Sequence, residues 1–300
     1  MTSVKTVAVI GAGIMGRGIA HVAALGGYRT ILEDILPASL RKAESEIRAN
    51  LDKGVELGKL DKSAADAAFS RIHLVGSVEE AAREADLVIE AVPEEMDSKI
   101  EIFTLLDKIC RPGTILASNT SSLSVTEIAS VTYRPQKCVG MHFFNPVHKM
   151  KLLEVVRALE TDEETLAAAA EVGRRMGKEV VVIKESPGFI TSRINAMIGN
   201  EAFYMLQEGI ASAEDIDKAL KLGLNHPMGP FELVDLVGLD TRLHILEYLH
   251  KSLGEKFRPA PLLVQHVKAG RLGRKTGRGV FDYPDTQKNN EKTAESKLVH

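Results

Sequence analysis

Val4-Lys5-Thr6-Val7-Ala8-Val9-Ile10-Gly11-Ala12-Gly13-Ile14-Met15-Gly16 is the stretch that decides the fold. Its first half is a short β-branched run, which fits a strand buried on both faces, as in a parallel sheet. The run ends at Gly11. From Ile14 the apolar positions follow a helical period through Leu25, and Gly26-Gly27 stops that helix. A second strand pattern, Arg29 to Leu32, ends in Glu33-Asp34. The order is strand, glycine-rich turn, helix, strand, with an acid closing the second strand. That context turns a weak G-x-G-x-x-G match into a specific one for a dinucleotide.

Each position in the turn has a physical reason. Gly11 permits the tight turn, Gly13 lets the backbone approach a pyrophosphate, and Gly16 allows close helix–strand packing. Ile14 and Met15 open the helix, whose free N–H groups and positive dipole end suit phosphates. Asp34 lies 18 residues beyond Gly16 (34 − 16), close to the roughly 20 expected for the acid that binds the adenosine ribose. A carboxylate there repels a 2′-phosphate, and Ile35 rather than Arg follows it. The expected cofactor is therefore NAD rather than NADP. The competing reading of Asp34 is a loop cap.

Outward from this unit, residues 37–69 read as a long, polar-faced helical hairpin broken near Gly54 and Gly58. Strand patterns return at 72–75, 87–90, 114–118, 137–142, 151–156 and 179–183, with helices fitting between most of them. Alternating strand and helix predicts an α/β, Rossmann-type doubly wound sheet with a helical hairpin insertion. The character changes at Glu185-Ser186-Pro187-Gly188. Beyond it, 189–209, 212–222, 230–253 and 259–269 read as helices and no strand is convincing. The expected domains are residues 1–186, a dinucleotide-binding domain, and 187–283, an all-α domain. Residues 284–300 are polar and expected to form a frayed tail.

Bulk properties narrow the function classes. Three hundred residues suit about two domains. A net charge of −3 gives no reason to expect nucleic acid or an anionic membrane as partner. Cys110 and Cys138 form no CxxC pair, so a reducing compartment is expected. No apolar run approaches the roughly 20 residues of a membrane span. The N-terminus enters a strand almost at once, leaving no room for a signal peptide. Ser296-Lys297-Leu298 is not terminal and is discounted as a peroxisomal address. A cytoplasmic location is the expectation. His142 and His148 lack an acid set with zinc-like spacing, and no metal is expected.

Three segments carry candidate chemistry. Ala117-Ser118-Asn119-Thr120-Ser121-Ser122-Leu123 is a polar cluster ending an apolar strand. Ligands gather at such strand ends in open α/β sheets, although Ser and Thr ahead of Glu127 would also cap a helix. Gly140-Met141-His142-Phe143-Phe144-Asn145-Pro146 places a histidine at a strand end. An imidazole suits proton transfer near neutral pH, while a lone histidine is more often a satisfied core residue. Leu152-Leu153-Glu154-Val155-Val156 buries an acid in an apolar strand, which is costly without a partner. A short connection lets the last two strands pair antiparallel, and then Glu154 can face His142. A carboxylate on one imidazole nitrogen fixes the tautomer and stabilises the imidazolium.

Taken together and in order, these motifs resemble the L-3-hydroxyacyl-CoA dehydrogenases, particularly the bacterial 3-hydroxybutyryl-CoA type. GAGIMG, EAVPE, SNTSSL, GMHFFNP, KLLEVV, SPGFITSR, HPMGPFELVDLVGLDT and GRKTGRGVFDY carry the resemblance, from about Val4 to Tyr283. It implies His142 as catalytic base, Glu154 as its orienting partner, and Ser121 on the reacting oxygen. It implies Asp34 on the adenosine ribose, with Glu94, Lys99, Asn119 and Asn145 lining the cofactor site. It makes the 37–69 hairpin a CoA-binding antenna in which Lys53 and Lys59 meet phosphates, and the helical domain a homodimer contact. One position departs from the pattern. The family usually has asparagine in P-G-F-x-x-N-R, and here Ser192 stands there. A hydroxyl still offers one hydrogen bond, and Asn195 lies three residues on, on the same helix side. The expectation is that Ser192, through a water or aided by Asn195, replaces the missing amide in holding substrate. The competing functions are an NAD-dependent dehydrogenase of a free hydroxy acid, such as a sugar acid, and a non-catalytic NAD-binding structural protein.

Overall fold

The run Thr6–Ile10 forms the central strand β1, buried along its whole length. It is flanked by β2 (Arg29–Glu33) and β4 (Leu87–Glu90), both parallel to it. The structure is a computed structural model and describes residues 4–284. The remaining strands are β3 (Ile72–Val75), β5 (Ile115–Ser118), β6 (Cys138–Phe143), β7 (Leu152–Arg157) and β8 (Glu179–Lys184). They form one sheet in the order β3-β2-β1-β4-β5-β6-β7-β8. The strands pair parallel except for β6 with β7, which is antiparallel. The order reverses direction at β1, so β1 and β4 flank the switch point where open α/β sheets leave a crevice for ligand.

Helices cover both faces. They are α1 (Ile14–Leu25), α2 (Pro37–Glu56), α3 (Lys62–Ser70), α4 (Val78–Ala82), α5 (Met96–Ile109), α6 (Val125–Ala129) and α7 (Glu163–Arg175). Val7 and Val9 pack toward α1 and the α2–α3 hairpin, with Ile19, Val22, Ile47 and Leu51. Ala8 and Ile10 pack toward α4 and α5, with Ala81, Ala82, Phe103 and Leu106. Alternation by two along β1 thus feeds two apolar layers. The apolar positions Ala43, Ile47 and Leu51 bury one stripe of α2, spaced at four residues, while the rest of that helix stays polar.

Chain contacts divide the described residues into two units, the first ending at Phe189 and the second starting at Ile190. The second unit is helical: α8 (Thr191–Gln207), α9 (Ala213–Gly223), α10 (Pro230–Val237), α11 (Leu239–Leu253) and α12 (Pro261–Lys268). Its core joins Ala202, Phe203, Phe231, Leu246, Leu249 and Phe257. Among the described residues its only β pairing is two isolated bridges at Gly273, Arg278 and Asp282. The 230–253 helix read from sequence is two helices, because Gly238 at φ 106° breaks it between α10 and α11. Apart from Pro284, the tail expected at 284–300 lies outside the described residues. No helix among the described residues is long and apolar enough to cross a membrane.

Candidate active site

The glycine turn is built as its sequence requires. Gly11 has φ +97°, and a Cβ there would lie 2.9 Å from the Ala91 carbonyl oxygen. A Cβ at Gly16 would fall 1.7 Å from the Gly11 carbonyl oxygen, so α1 can approach the turn this closely only with glycine there. At Gly13 a Cβ would meet nothing within 4 Å. The space above Gly13 is open, beside the first N–H groups of α1, which fits a pyrophosphate. Asp34 sits directly after β2. Its Oδ2 accepts the Ala12 N–H at 2.9 Å and its Oδ1 accepts the Leu36 N–H at 2.9 Å. It therefore fastens the glycine turn to the end of β2, whatever else it holds.

Beyond β4, the EAVPE motif folds into a charge network. Lys99 on α5 is 1% exposed and lies 2.7 Å from Glu90 and 3.2 Å from Glu94. Glu90 also accepts the Ser118 hydroxyl at 2.6 Å. Glu94 accepts the Thr120 hydroxyl, the Ser121 N–H and the Ser121 hydroxyl, at 2.7, 2.7 and 3.1 Å. Burial works against its charge, but Lys99 together with these donors outweighs burial and holds its carboxyl below the usual glutamate range. Lys99 is too deeply buried to be a surface contact; it charges and aims Glu94. Asn119 spends its carbonyl oxygen on the Phe143 N–H at 2.9 Å, which ties the end of β5 to the end of β6.

At the far side of that tie stands His142. The antiparallel register of β6 and β7 sets His142 opposite Glu154. His142 Nδ1 lies 2.7 Å from Glu154 Oε2, and the two residues are 5% and 1% exposed. The rings of Phe144 and Phe189 flank the imidazole, with centroids 4.3 and 5.7 Å away. A carboxylate on Nδ1 leaves Nε2 as the nitrogen available to exchange a proton with another group.

A cavity of about 240 Å³ lies between α1, α2 and the segment after β6. Asn145 lines it, as do Ile14, Arg17, His21, Glu46, Asn50 and His148. Arg17 Nε is 2.6 Å from Glu46. His21 stacks on His148 at 5.6 Å, and its buried Nδ1 has no hydrogen-bond partner. Burial first, then His148 and Lys178, push its pKa down to about 4. Sequence reasoning named Ile14 and Asn145 but missed Arg17, His21, Glu46 and Asn50. Only Asn50 carried a usable signal, as the position one helical turn before Lys53 on the antenna. Lys53 is exposed and paired with Glu56 at 2.8 Å, and Lys59 is exposed in the turn between α2 and α3. In the second unit, Ser192 and Asn195 fall within the first turns of α8, three residues apart on one side, and both are half-buried.

This fold, with its glycine turn, the acid that closes β2 and its strand-end imidazole, defines the class of NAD-dependent dehydrogenases of Rossmann type. The family model for the NAD binding domain of 3-hydroxyacyl-CoA dehydrogenase matches residues 6–186, and that for its C-terminal domain matches residues 188–283. A 3-hydroxybutyryl-CoA dehydrogenase of Bradyrhizobium diazoefficiens is 46% identical, over 93% of this chain and 96% of that protein. The mitochondrial hydroxyacyl-coenzyme A dehydrogenase of Sus scrofa is 41% identical, over 93% of this chain and 91% of its own length. The crystal structure of (S)-3-hydroxybutyryl-CoA dehydrogenase from Ralstonia eutropha superposes with a TM-score of 0.91 at 43% identity, covering 94% of this chain and 99% of the other. The chain belongs to the 3-hydroxyacyl-CoA dehydrogenase family and is an NAD-dependent oxidoreductase.

Proposed function

We propose that the chain interconverts (S)-3-hydroxybutyryl-CoA and acetoacetyl-CoA, with His142 and Glu154 as its acid–base pair. The observation that carries this reading is the buried 2.7 Å contact between His142 Nδ1 and Glu154. Relatives of matching length named for 3-hydroxybutyryl-CoA support the substrate.

In this reading the pyrophosphate rests on Gly11, Gly13 and Gly16, beside Ile14 and Met15, and Asp34 holds the adenosine ribose. Asn119, Asn145 and Glu94 line the rest of the cofactor site, with Lys99 behind Glu94. When bound, NAD supplies the hydride acceptor. His142 takes the 3-hydroxyl proton on Nε2, and Glu154 stabilises the imidazolium that results. In reverse, the same nitrogen returns the proton to the keto oxygen. Ser121 and Ser192, helped by Asn195, steady that oxygen as its charge changes. The CoA carrier lies against the 37–69 hairpin, with Lys53 and Lys59 toward its phosphates. It anchors the acyl group and holds it in reacting orientation.

The domain division near residue 186 separates the cofactor-binding part from a helical part that makes a homodimer. The exposed Ile194, Met197, Leu222, Leu224 and Leu236 of the helical unit supply apolar surface for such a contact. A cytoplasmic enzyme is the matching location, with both cysteines free and buried.

The test is oxidation of NADH with acetoacetyl-CoA, with free acetoacetate and NADPH in parallel. Turnover confined to the CoA ester and NADH is the expected result. Turnover with free acetoacetate, or tight NADH binding with no turnover, would overturn the reading.

A further inference from the structure

Glu33 is the last residue of β2, immediately before Asp34. It is 2% exposed, and its Oε1 has no hydrogen-bond partner. Its register neighbours are Ile10 on β1 and Val75 on β3, so it stands at the carboxyl ends of three parallel strands. Alternation along β2 puts its side chain on the sheet face of Ile31, opposite to Leu32. A carboxyl in that place is out of pattern with the apolar residues around it, and an unpaired buried carboxylate is strongly disfavoured.

We propose that Glu33 is a proton-linked electrostatic control on the adenosine end of the dinucleotide site. As a neutral carboxylic acid it leaves Asp34 as the one charge there, and as a carboxylate it weakens the grip on that end. The proposal rests on the reading that the Gly11–Gly16 turn and Asp34 carry the adenosine half of NAD. The sealed carboxyl acts through its charge: as a carboxylate it adds a second negative charge beside Asp34, next to the site of an anionic pyrophosphate.

The surroundings favour the neutral form. Burial, then the charge of Asp34, push the carboxyl up to about 7, against a lesser pull from the Gly11 N–H. The nearest residues are Ile10 and Val75, both apolar; His73, two residues before Val75 on the same face of β3, is exposed, and Glu79 on α4 is exposed and paired with Arg83. The proton on Glu33 therefore leaves close to neutral pH, where the cofactor must bind.

The test is NADH affinity, measured by fluorescence titration of the whole protein at about pH 6 and about pH 8. For full coupling to a group titrating near 7, the wild-type Kd rises about tenfold between the two. Glu33→Gln, a neutral isostere, keeps the low-pH affinity at both. In steady state the effect falls on KM for NADH and leaves kcat unchanged. Parallel pH profiles in wild type and Glu33→Gln would overturn the proposal. Failure of the wild type to bind NADH at either pH would overturn the cofactor assignment itself, and the role of Glu33 with it. Melting curves without cofactor separate a merely structural carboxyl, which would change the melting temperature and leave the pH slope of Kd intact.

Discussion

His142 and Glu154 are direct register partners across the antiparallel β6–β7 pair, with Nδ1 and Oε2 2.7 Å apart. Their geometry is set by the backbone of two paired, largely buried strands rather than by a loop. A strand-to-strand pair keeps the imidazole oriented before substrate arrives, which is the condition for acid–base catalysis without reorganisation. Glu154→Gln preserves the shape but lets the imidazole adopt the wrong tautomer. Turnover is expected to fall by about 10²–10⁴-fold, by comparison with the triad aspartate of serine proteases. NADH affinity is expected to stay within about twofold of wild type, since neither residue belongs to the glycine turn. Steady-state kinetics and fluorescence titration check both halves. A comparable loss of cofactor binding would place the pair in the fold rather than in the chemistry.

The glycines of the turn are expected to separate into two kinds. Gly16→Ala drives a methyl group to within 1.7 Å of the Gly11 carbonyl oxygen, so the turn must open. Both the melting temperature and NADH affinity should drop. Gly13→Ala meets nothing within 4 Å in the protein alone. Its melting temperature without cofactor should match wild type, while NADH affinity falls by about tenfold or more as the methyl occupies the pyrophosphate's space. Differential scanning fluorimetry with and without NADH distinguishes them. Normal NADH affinity in Gly13→Ala would move the pyrophosphate elsewhere.

The difference between these elements shows what a sequence can display. β1 and its turn were legible because burial on both faces leaves a continuous apolar run, and each glycine has a local steric reason. The facing of His142 and Glu154 was legible too, because a short connection and period-two alternation allow few registers. The break at Gly238 was not, since an isolated glycine inside an apolar helical pattern is tolerated and does not by itself mark an end. Glu90 was hidden because its partners, Lys99 and Ser118, lie on other elements and reach it only through the fold. The stack of His21 on His148 joins residues 127 positions apart (148 − 21), with no periodic signal to connect them.

Lys99 lies between two acids with almost no access to solvent. Removing its charge leaves Glu90 and Glu94 facing each other without a cation. Lys99→Met is expected to cost about 3–5 kcal/mol of stability, read from urea denaturation near neutral pH. Lowering the pH should restore part of that loss, because protonating either acid relieves the repulsion. An unchanged denaturation midpoint would mean that water or a bound cation compensates the pair.

His21 makes the protein sensitive to acid. Its folded pKa is pushed down to about 4, from 6.5. Between these values the unfolded chain takes a proton that the buried ring refuses, so stability falls as pH drops through that window. Above it, both states are neutral and the residue contributes no slope. His21→Gln should remove this contribution, gaining on wild type by up to roughly 3 kcal/mol toward the acid end. Urea midpoints at several pH values give the slope directly. Equal slopes in the two proteins would show that the ring takes its proton in the folded state.

Ser192 stands where the resemblance in P-G-F-x-x-N-R leads one to expect asparagine, and its side chain is the shorter one. If its hydroxyl steadies the reacting oxygen, Ser192→Ala removes one hydrogen bond to a group that gains charge. The expected loss in kcat is about 10- to 100-fold. Ser192→Asn restores the family's amide arm and should retain or raise kcat, because its reach no longer depends on Asn195 or a bridging water. The double variant Ser192→Ala, Asn195→Ala tests whether the two share the role. A loss larger than the sum of the single effects means that each partly covers for the other. Full turnover in Ser192→Ala, with a large loss in Asn195→Ala, would instead put the oxygen contact on Asn195, one turn further along the same helix.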